Sequence, residues 1–146
     1  MKRNLVSVFK PHGNGLAKLF GTLEADIMAL IWERREASAR DIFEALRDQG
    51  QRISYGATKT VLDRLVKKQV LTRTMAANQY TYRACLDRSE FERSAIREIV
   101  DGLFSGFGEP VIAQFLHRIR ETDPAQLDRL AKMISAPEAD KKPIDA

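Results

Sequence analysis

The stretch Arg52–Arg83, RISYGATKTVLDRLVKKQVLTRTMAANQYTYR, leaves few folds open to this chain. It begins with a polar turn and continues as a run with Val61, Leu62, Leu65 and Val66 at helical spacing. It ends in two short alternating segments, Val70–Thr74 and Gln79–Arg83. Apolar residues three and four apart predict an amphipathic helix, and alternation predicts strands. Met75–Asn78 forms the tip between the strands, and Asn78 tolerates the left-handed backbone of a tight turn. A helix that leads directly into a hairpin is the order in which a winged helix-turn-helix is built.

The segments before this stretch supply the rest of such a domain. Thr22–Arg34 reads as a helix with Leu23, Ile27, Leu30 and Ile31 on its inner stripe, Thr22 as cap and Trp32 in the core. Ala39–Gln49 reads as a second helix with Ala39, Ile42, Phe43 and Leu46 inside. Ser38 and Asp41 resemble a capping box, and Gly50 is a left-handed stop. The third helix runs from Tyr55 to Lys68, with Ser54 as its cap. Residues 1–19 read as a flexible basic arm, broken by Pro11, Gly13 and Gly15 and carrying Lys2, Arg3, Lys10 and Lys18.

Beyond Cys85 the pattern is helical. Asp87 and Glu90 cap a helix that carries Phe91, Ala95, Ile96, Ile99, Val100, Leu103 and Phe104, and Gly106 and Gly108 break it. A second helix follows Pro110, with Val111, Ile112, Phe115, Leu116 and Ile119. A third begins at Asp123-Pro124, where Asp123 caps and Gln126 completes the box, and carries Leu127, Leu130, Ala131 and Ile134. So short a segment exposes more apolar surface than it can hide alone. A second copy of the chain is the expected cover, through Phe91, Ile96, Ile99, Val100, Leu103, Phe104, Val111, Ile112, Phe115, Leu116 and Ile119. The expected architecture is mainly α with a small β-hairpin wing. It comprises a winged-helix domain over 20–85, a helical dimerisation domain over 86–135 and a disordered tail over 136–146.

Charge divides along the same line. Residues 1–84 hold 15 Lys+Arg against 8 Asp+Glu, net +7, whereas residues 85–146 hold 9 against 12, net −3. A basic half beside an acidic half points to nucleic acid for the first and a protein partner for the second. The small or basic side chains at the start of the third helix suit a groove wall. Thr58, Lys59 and Thr60 are candidates for base contacts beside Gly56 and Ala57. Arg40, Ser54, Tyr55, Arg64, Lys67, Lys68 and Arg73 are candidates for phosphates, and Arg83 for a wing contact. A solvated basic face would look similar, and a winged helix used only for protein interaction is the rival reading. Neither His12 nor His117 has neighbouring ligands at metal or catalytic spacing, so no enzyme, metal or cofactor is expected. One cysteine excludes an intrachain disulfide, and Cys85 reads as a structural thiol rather than a redox sensor. The short apolar run Leu5–Phe9, closed by Lys10 and Pro11, is read as neither secretory nor membrane-inserting, which predicts a cytoplasmic protein.

Gly21-Thr22-Leu23-Glu24-Ala25-Asp26-Ile27-Met28-Ala29-Leu30-Ile31-Trp32 resembles the opening of the penicillinase repressor family of bacterial transcriptional repressors. Ala39-Arg40-Asp41-Ile42, Tyr55 through Leu71 and Tyr80-Thr81-Tyr82 resemble its second helix, recognition helix with first wing strand, and second wing strand. The resemblance spans about Gly21 to Ile134. It implies a homodimer that binds double-stranded palindromic operators, commonly with TACA/TGTA half-sites, and blocks transcription. It also implies release when a membrane sensor protease triggers cleavage of an Asn–Phe bond, aligned here with Gln114–Phe115. Copper-responsive relatives carry paired cysteines near the C-terminus, which this chain lacks. Gln69 stands where the family places a helix-ending glycine, which leaves open how the third helix ends.

Overall fold

The computed structural model describes residues 5, 6, 9, 10, 15 and 19–136. The arm residues Lys2, Arg3, Pro11, His12, Gly13 and Lys18, and the tail from Pro137, lie outside them. The chain divides into two compact units, Met1–Glu98 and Ile99–Ala146.

The first unit runs α1 (Thr22–Arg34), β1 (Glu36–Ser38), α2 (Ala39–Asp48), α3 (Tyr55–Lys67), β2 (Leu71–Ala76) and β3 (Gln79–Ala84), then the beginning of α4 (Arg88–Thr122). The strands form an antiparallel sheet in the order β1-β3-β2. This is a winged helix: three helices, a hairpin and a short strand that closes the sheet. β1 was not expected from sequence, since three residues are too few to show alternation. Its register sets Ala37 opposite Tyr82 and Glu36 opposite Arg83.

Helix ends follow local chemistry. Thr22 is the first helical residue of α1 and not its cap. Gly21 occupies the cap position, and the Glu24 carboxylate accepts from the Gly21 amide at 3.3 Å. At α2 the box between Ser38 and Asp41 closes in both directions. Ser38 Oγ accepts from the Asp41 amide at 3.1 Å, and Asp41 Oδ2 accepts from the Ser38 amide at 2.9 Å. The Ser38 amide first, and then its hydroxyl, hold the Asp41 carboxyl below its ordinary value. Past α2, Gly50 takes φ +82, with Gly50 N–H to Arg47 C=O and Gln51 N–H to Leu46 C=O. Those two bonds make a Schellman motif. Gln69 does the same after α3 at φ +60, with Gln69 N–H to Val66 C=O and Val70 N–H to Leu65 C=O. The helix therefore ends as a glycine would end it, on a residue for which that conformation is strained. Ala77 and Asn78 both have positive φ, so the wing tip is a two-residue turn of the type I′ kind.

The core gathers Ile27, Met28 and Ile31 of α1, Ile42 and Leu46 of α2, Leu62 and Leu65 of α3, and Leu71 and Tyr82 of the hairpin. Ala45, rather than Phe43, completes the buried face of α2. Two residues join the core from unexpected places. Leu5, from the segment read as a flexible arm, is 4% exposed, and its amide donates to Glu98 Oε2 at 3.0 Å. Phe91, expected at a dimer interface, is 1% exposed; it stacks on Phe20 at 4.9 Å and lies 5.6 Å from Trp32. Phe91 and Ala95 are one helical turn apart, and both face the winged core. Trp32 Nε1 donates to the Leu86 carbonyl at 2.9 Å, which fixes the start of α4 beside α1. Asp87 and Glu90 cap α4 reciprocally, as expected.

In the second unit α4 is interrupted at Phe107 (φ −136°), between Gly106 and Gly108, where the sequence predicts a break. Pro110 lies just beyond, in a first turn where its missing N–H costs nothing. α5 (Ala125–Ser135) starts without a side-chain cap. The Asp123 backbone carbonyl, not its carboxylate, accepts from the Gln126 amide at 3.0 Å. Among the described residues from Ile99 onward, none is buried. Leu103, Phe104, Phe107, Ile112, Phe115, Met133 and Ile134 are exposed.

Two stability predictions follow from the helix ends. Gln69→Gly is expected to raise unfolding free energy by about 1 kcal/mol in chemical denaturation, by relieving the left-handed strain; a loss would show that the residue is not strained. Ser38→Ala is expected to cost about 1 kcal/mol at neutral pH. Asp41 titrates lower in the folded state than in the unfolded one. Its stabilisation is therefore present above its unfolded value and lost as pH falls through the folded one. The gap between Ser38→Ala and the parent protein is expected to narrow below about pH 4; a gap independent of pH contradicts it.

Candidate nucleic-acid interface

The rotation of α3 about its own axis determines which side chains can meet a ligand. Thr58, Val61, Leu62 and Leu65 are its buried stripe. Thr58 is 0% exposed, and its hydroxyl donates to the Ser54 carbonyl at 3.0 Å. Expected as a base contact, Thr58 is instead a core residue that braces the first turn. The opposite stripe is Gly56, Thr60, Asp63 and Lys67, spaced by four, three and four residues so that all share one side. Lys59 flanks this stripe on one side and Arg64 on the other. Asp63 was not among the expected contacts.

The N-terminus of α3 is open. Ser54 Oγ accepts from the Ala57 amide at 3.0 Å, and the amides of Tyr55 and Gly56 lie at the helix's positive end, where an anion is favoured. Gly56 has no Cβ, and open space surrounds the place one would take, so a phosphate can approach the backbone. Tyr55 is held edge-on to Phe43 at 5.7 Å, with Lys59 Nζ 5.9 Å from its ring centroid. The Thr60 hydroxyl donates to the Gly56 carbonyl at 3.0 Å, which leaves its methyl group exposed.

The basic side chains divide into two groups. Several are already paired within the protein. Glu24, 7% exposed, accepts from Lys68 Nζ at 3.4 Å and lies 3.6 Å from Arg64 Nη1, so these two cations tie α3 to α1. Arg40 pairs with Glu44 one turn along α2 at 3.2 Å. Arg83 pairs with Glu36 across the β1–β3 register. Arg73 bonds Asp63 at 3.0 Å and lies 4.5 Å over the Tyr80 ring. Strand alternation explains that last contact. Leu71 and Arg73 share a face of β2, so the face that buries Leu71 also carries Arg73 over α3. Burial first, and then the Asp63 charge, push the Tyr82 hydroxyl upward, against a hydrogen bond from Arg73. In contrast, Arg52, Lys59 and Lys67 make no ion pair among the described residues.

Among the described residues no group of three His, Cys, Asp or Glu could hold a metal ion. The wing tip of Met75, Ala76, Ala77 and Asn78 carries no charge.

A family model described as penicillinase repressor matches residues 20–136. The penicillinase repressor of Staphylococcus aureus is 23% identical over 92 residues, covering 63% of this chain and 72% of that protein. An uncharacterised 16.5 kDa protein in the ptsI 3′ region of Latilactobacillus sakei is 28% identical over 122 residues, 80% of this chain and 82% of that one. Among solved structures, a chain from the complex of hsRosR-S1 aligns over 77% of this chain and 99% of its own. Its TM-score is 0.43 and its identity 16%.

The geometry separates the residues on the buried stripe from those on the outward one. Lys67→Ala is expected to weaken binding to all duplexes and to reduce the salt slope by about one, whereas Lys59→Ala is expected to relax the preference at one base position. Thr58→Val, which keeps the packing volume, is expected to change affinity less than about twofold, well below the effect of losing a base contact. Fluorescence anisotropy at several salt concentrations checks both. A large loss for Thr58→Val with an intact fold would contradict the rotation of α3.

Proposed function

The chain belongs to the penicillinase repressor family, and from that membership we propose that it is a homodimeric, cytoplasmic repressor of transcription that binds a palindromic operator. The observation that carries the DNA-binding part is the outward stripe of α3. With its flanks it combines an open helix N-terminus, small side chains at Gly56 and Ala57, and two lysines, Lys59 and Lys67, that make no ion pair among the described residues, in a first unit whose sequence is basic. Each α3 enters a major groove. Lys59 and Thr60 approach base edges, while Ser54, Tyr55 and Lys67 meet phosphates. Arg40, Arg64, Lys68 and Arg73 add positive potential from their paired positions. Two recognition helices on one dimer favour half-sites about one helical turn apart, or a multiple of it.

Dimerisation is supported by the second unit. Its helices carry a run of exposed apolar side chains and bury none, so they lack the core that would let them stand alone. A second copy covers them through Ile96, Ile99, Val100, Leu103, Phe104, Val111, Ile112, Phe115, Leu116 and Ile119. Phe107, 63% exposed at the kink of α4, joins that surface. Phe91 does not, being spent in the winged core. Repression follows from occupancy of the promoter by the dimer, and release follows when the dimer weakens. The bond at which a sensor-triggered protease would cut is Gln114–Phe115. Both residues are exposed within α4, so cleavage requires that helix to open locally. No helix among the described residues is long and apolar enough to cross a membrane.

Leu103→Asp combined with Phe115→Asp is expected to convert the dimer to monomer in sedimentation and to abolish tight operator binding. An intact dimer after both changes would overturn the assignment of the arm. The dimer neutralises roughly 6–10 phosphates, so its affinity is expected to fall about 10³–10⁵-fold between about 50 and 200 mM salt. Gel-shift with the chain's own upstream DNA tests the whole reading, since a protein-interaction module gives no specific shift.

A further inference from the structure

An acidic side chain lies in the middle of the face that meets a polyanion. Asp63 shares its stripe with Gly56, Thr60 and Lys67, opposite the buried residues of α3, and its side chain is 45% exposed. A bare carboxylate there would be repelled by phosphates and would weaken every complex. Arg73 removes that penalty: its Nη1 bonds Asp63 Oδ1 at 3.0 Å. The guanidinium is held in turn by the Tyr80 ring, 4.5 Å from its centroid, and by the strand alternation that directs it over α3. The Asp63–Arg73 pair as a whole therefore carries little net charge, yet Oδ2 keeps lone pairs for another donor.

We propose that Asp63 reads a base: it accepts a hydrogen bond from the exocyclic amine of a cytosine in the major groove, with Arg73 as its positioning residue. The proposal rests on the reading of α3 as the helix that enters the groove. The chemistry selects the base. Guanine and thymine present only acceptors and a methyl group there, which a carboxylate cannot use. Adenine has an amine, but its N7 acceptor lies beside it and repels the second carboxylate oxygen. Cytosine presents its N4 amine without that neighbour. The same stripe thus combines Thr60, which offers a methyl group, with Asp63, which offers an acceptor.

Selection from a pool of randomised duplexes tests this, with the parent protein, Asp63→Asn, Asp63→Ala, Arg73→Ala and the double variant Asp63→Ala/Arg73→Ala. An exposed ion pair contributes little to stability, so all of these are expected to fold. The parent protein is expected to enrich cytosine at one position of each half-site, by about fivefold or more. Asp63→Ala loses that preference and keeps the others. Asp63→Asn shifts it to adenine, whose N6 and N7 suit an amide side chain. Arg73→Ala weakens binding to every sequence by exposing the carboxylate charge. The double variant recovers that affinity without the cytosine preference, whereas a merely structural pair would change stability and leave base preference intact. If the parent protein selects a sequence and the Asp63 variants select the same one, the proposal is wrong while the DNA-binding reading stands. If the parent protein selects no sequence, that reading fails as well.

Discussion

The burial of Thr58 with Val61, Leu62 and Leu65 is the constraint on which the rest of the surface depends. Those four side chains fix the rotation of α3 against the core, and a helix cannot turn one residue outward without turning the others. The hydroxyl of Thr58 makes the arrangement possible, because a buried polar group must be bonded, and the Ser54 carbonyl accepts from it. Once the inner stripe is set, Gly56, Thr60, Asp63 and Lys67 face outward and Lys59 and Arg64 flank them. The open helix end and the unpaired lysines follow from this rotation.

The second organising fact is how the positive charge is distributed. A basic sequence does not mean that every cation is free for a ligand. Glu24 draws Arg64 and Lys68 into the junction between α1 and α3, Glu36 holds Arg83 on the sheet, and Asp63 holds Arg73 at the base of the wing. Exposed pairs of this kind add little stability. Their effect is to aim side chains and to hold the wing against the helix. Among the described cations outside such pairs, Lys67 on α3 and Arg52 before it are placed to meet phosphates, and Lys59 to meet a base edge.

Much of this was legible in the sequence, for reasons particular to each element. The three helices of the winged unit, the hairpin and the interruption near Gly106 follow from apolar spacing and glycine placement. The capping pairs Ser38–Asp41 and Asp87–Glu90 follow from residue type at a fixed offset. Thr58 was misplaced because a polar residue at a helix start suggests a contact, although its spacing from Val61, Leu62 and Leu65 already put it inside. Phe91 was misplaced because the change of charge sign near Cys85 suggested a boundary, whereas its stacking on Phe20 joins segments far apart in sequence. β1 is too short to leave a pattern. Asp63 was passed over because a lone acid in a basic run has no meaning until Arg73 is seen beside it. At Gln69 the position of the helix end was readable, but the left-handed backbone of a glutamine was not.

The most direct measurement of the central claim is an NMR titration of the intact protein with the duplex upstream of its own gene. The account predicts that the amides of Tyr55 and Gly56 and the signals of Lys59, Thr60, Asp63 and Lys67 shift on binding, while the buried Thr58 methyl and the exposed apolar residues of the second unit move little. Shifts confined to the second unit, or no saturable shift on α3, would contradict it.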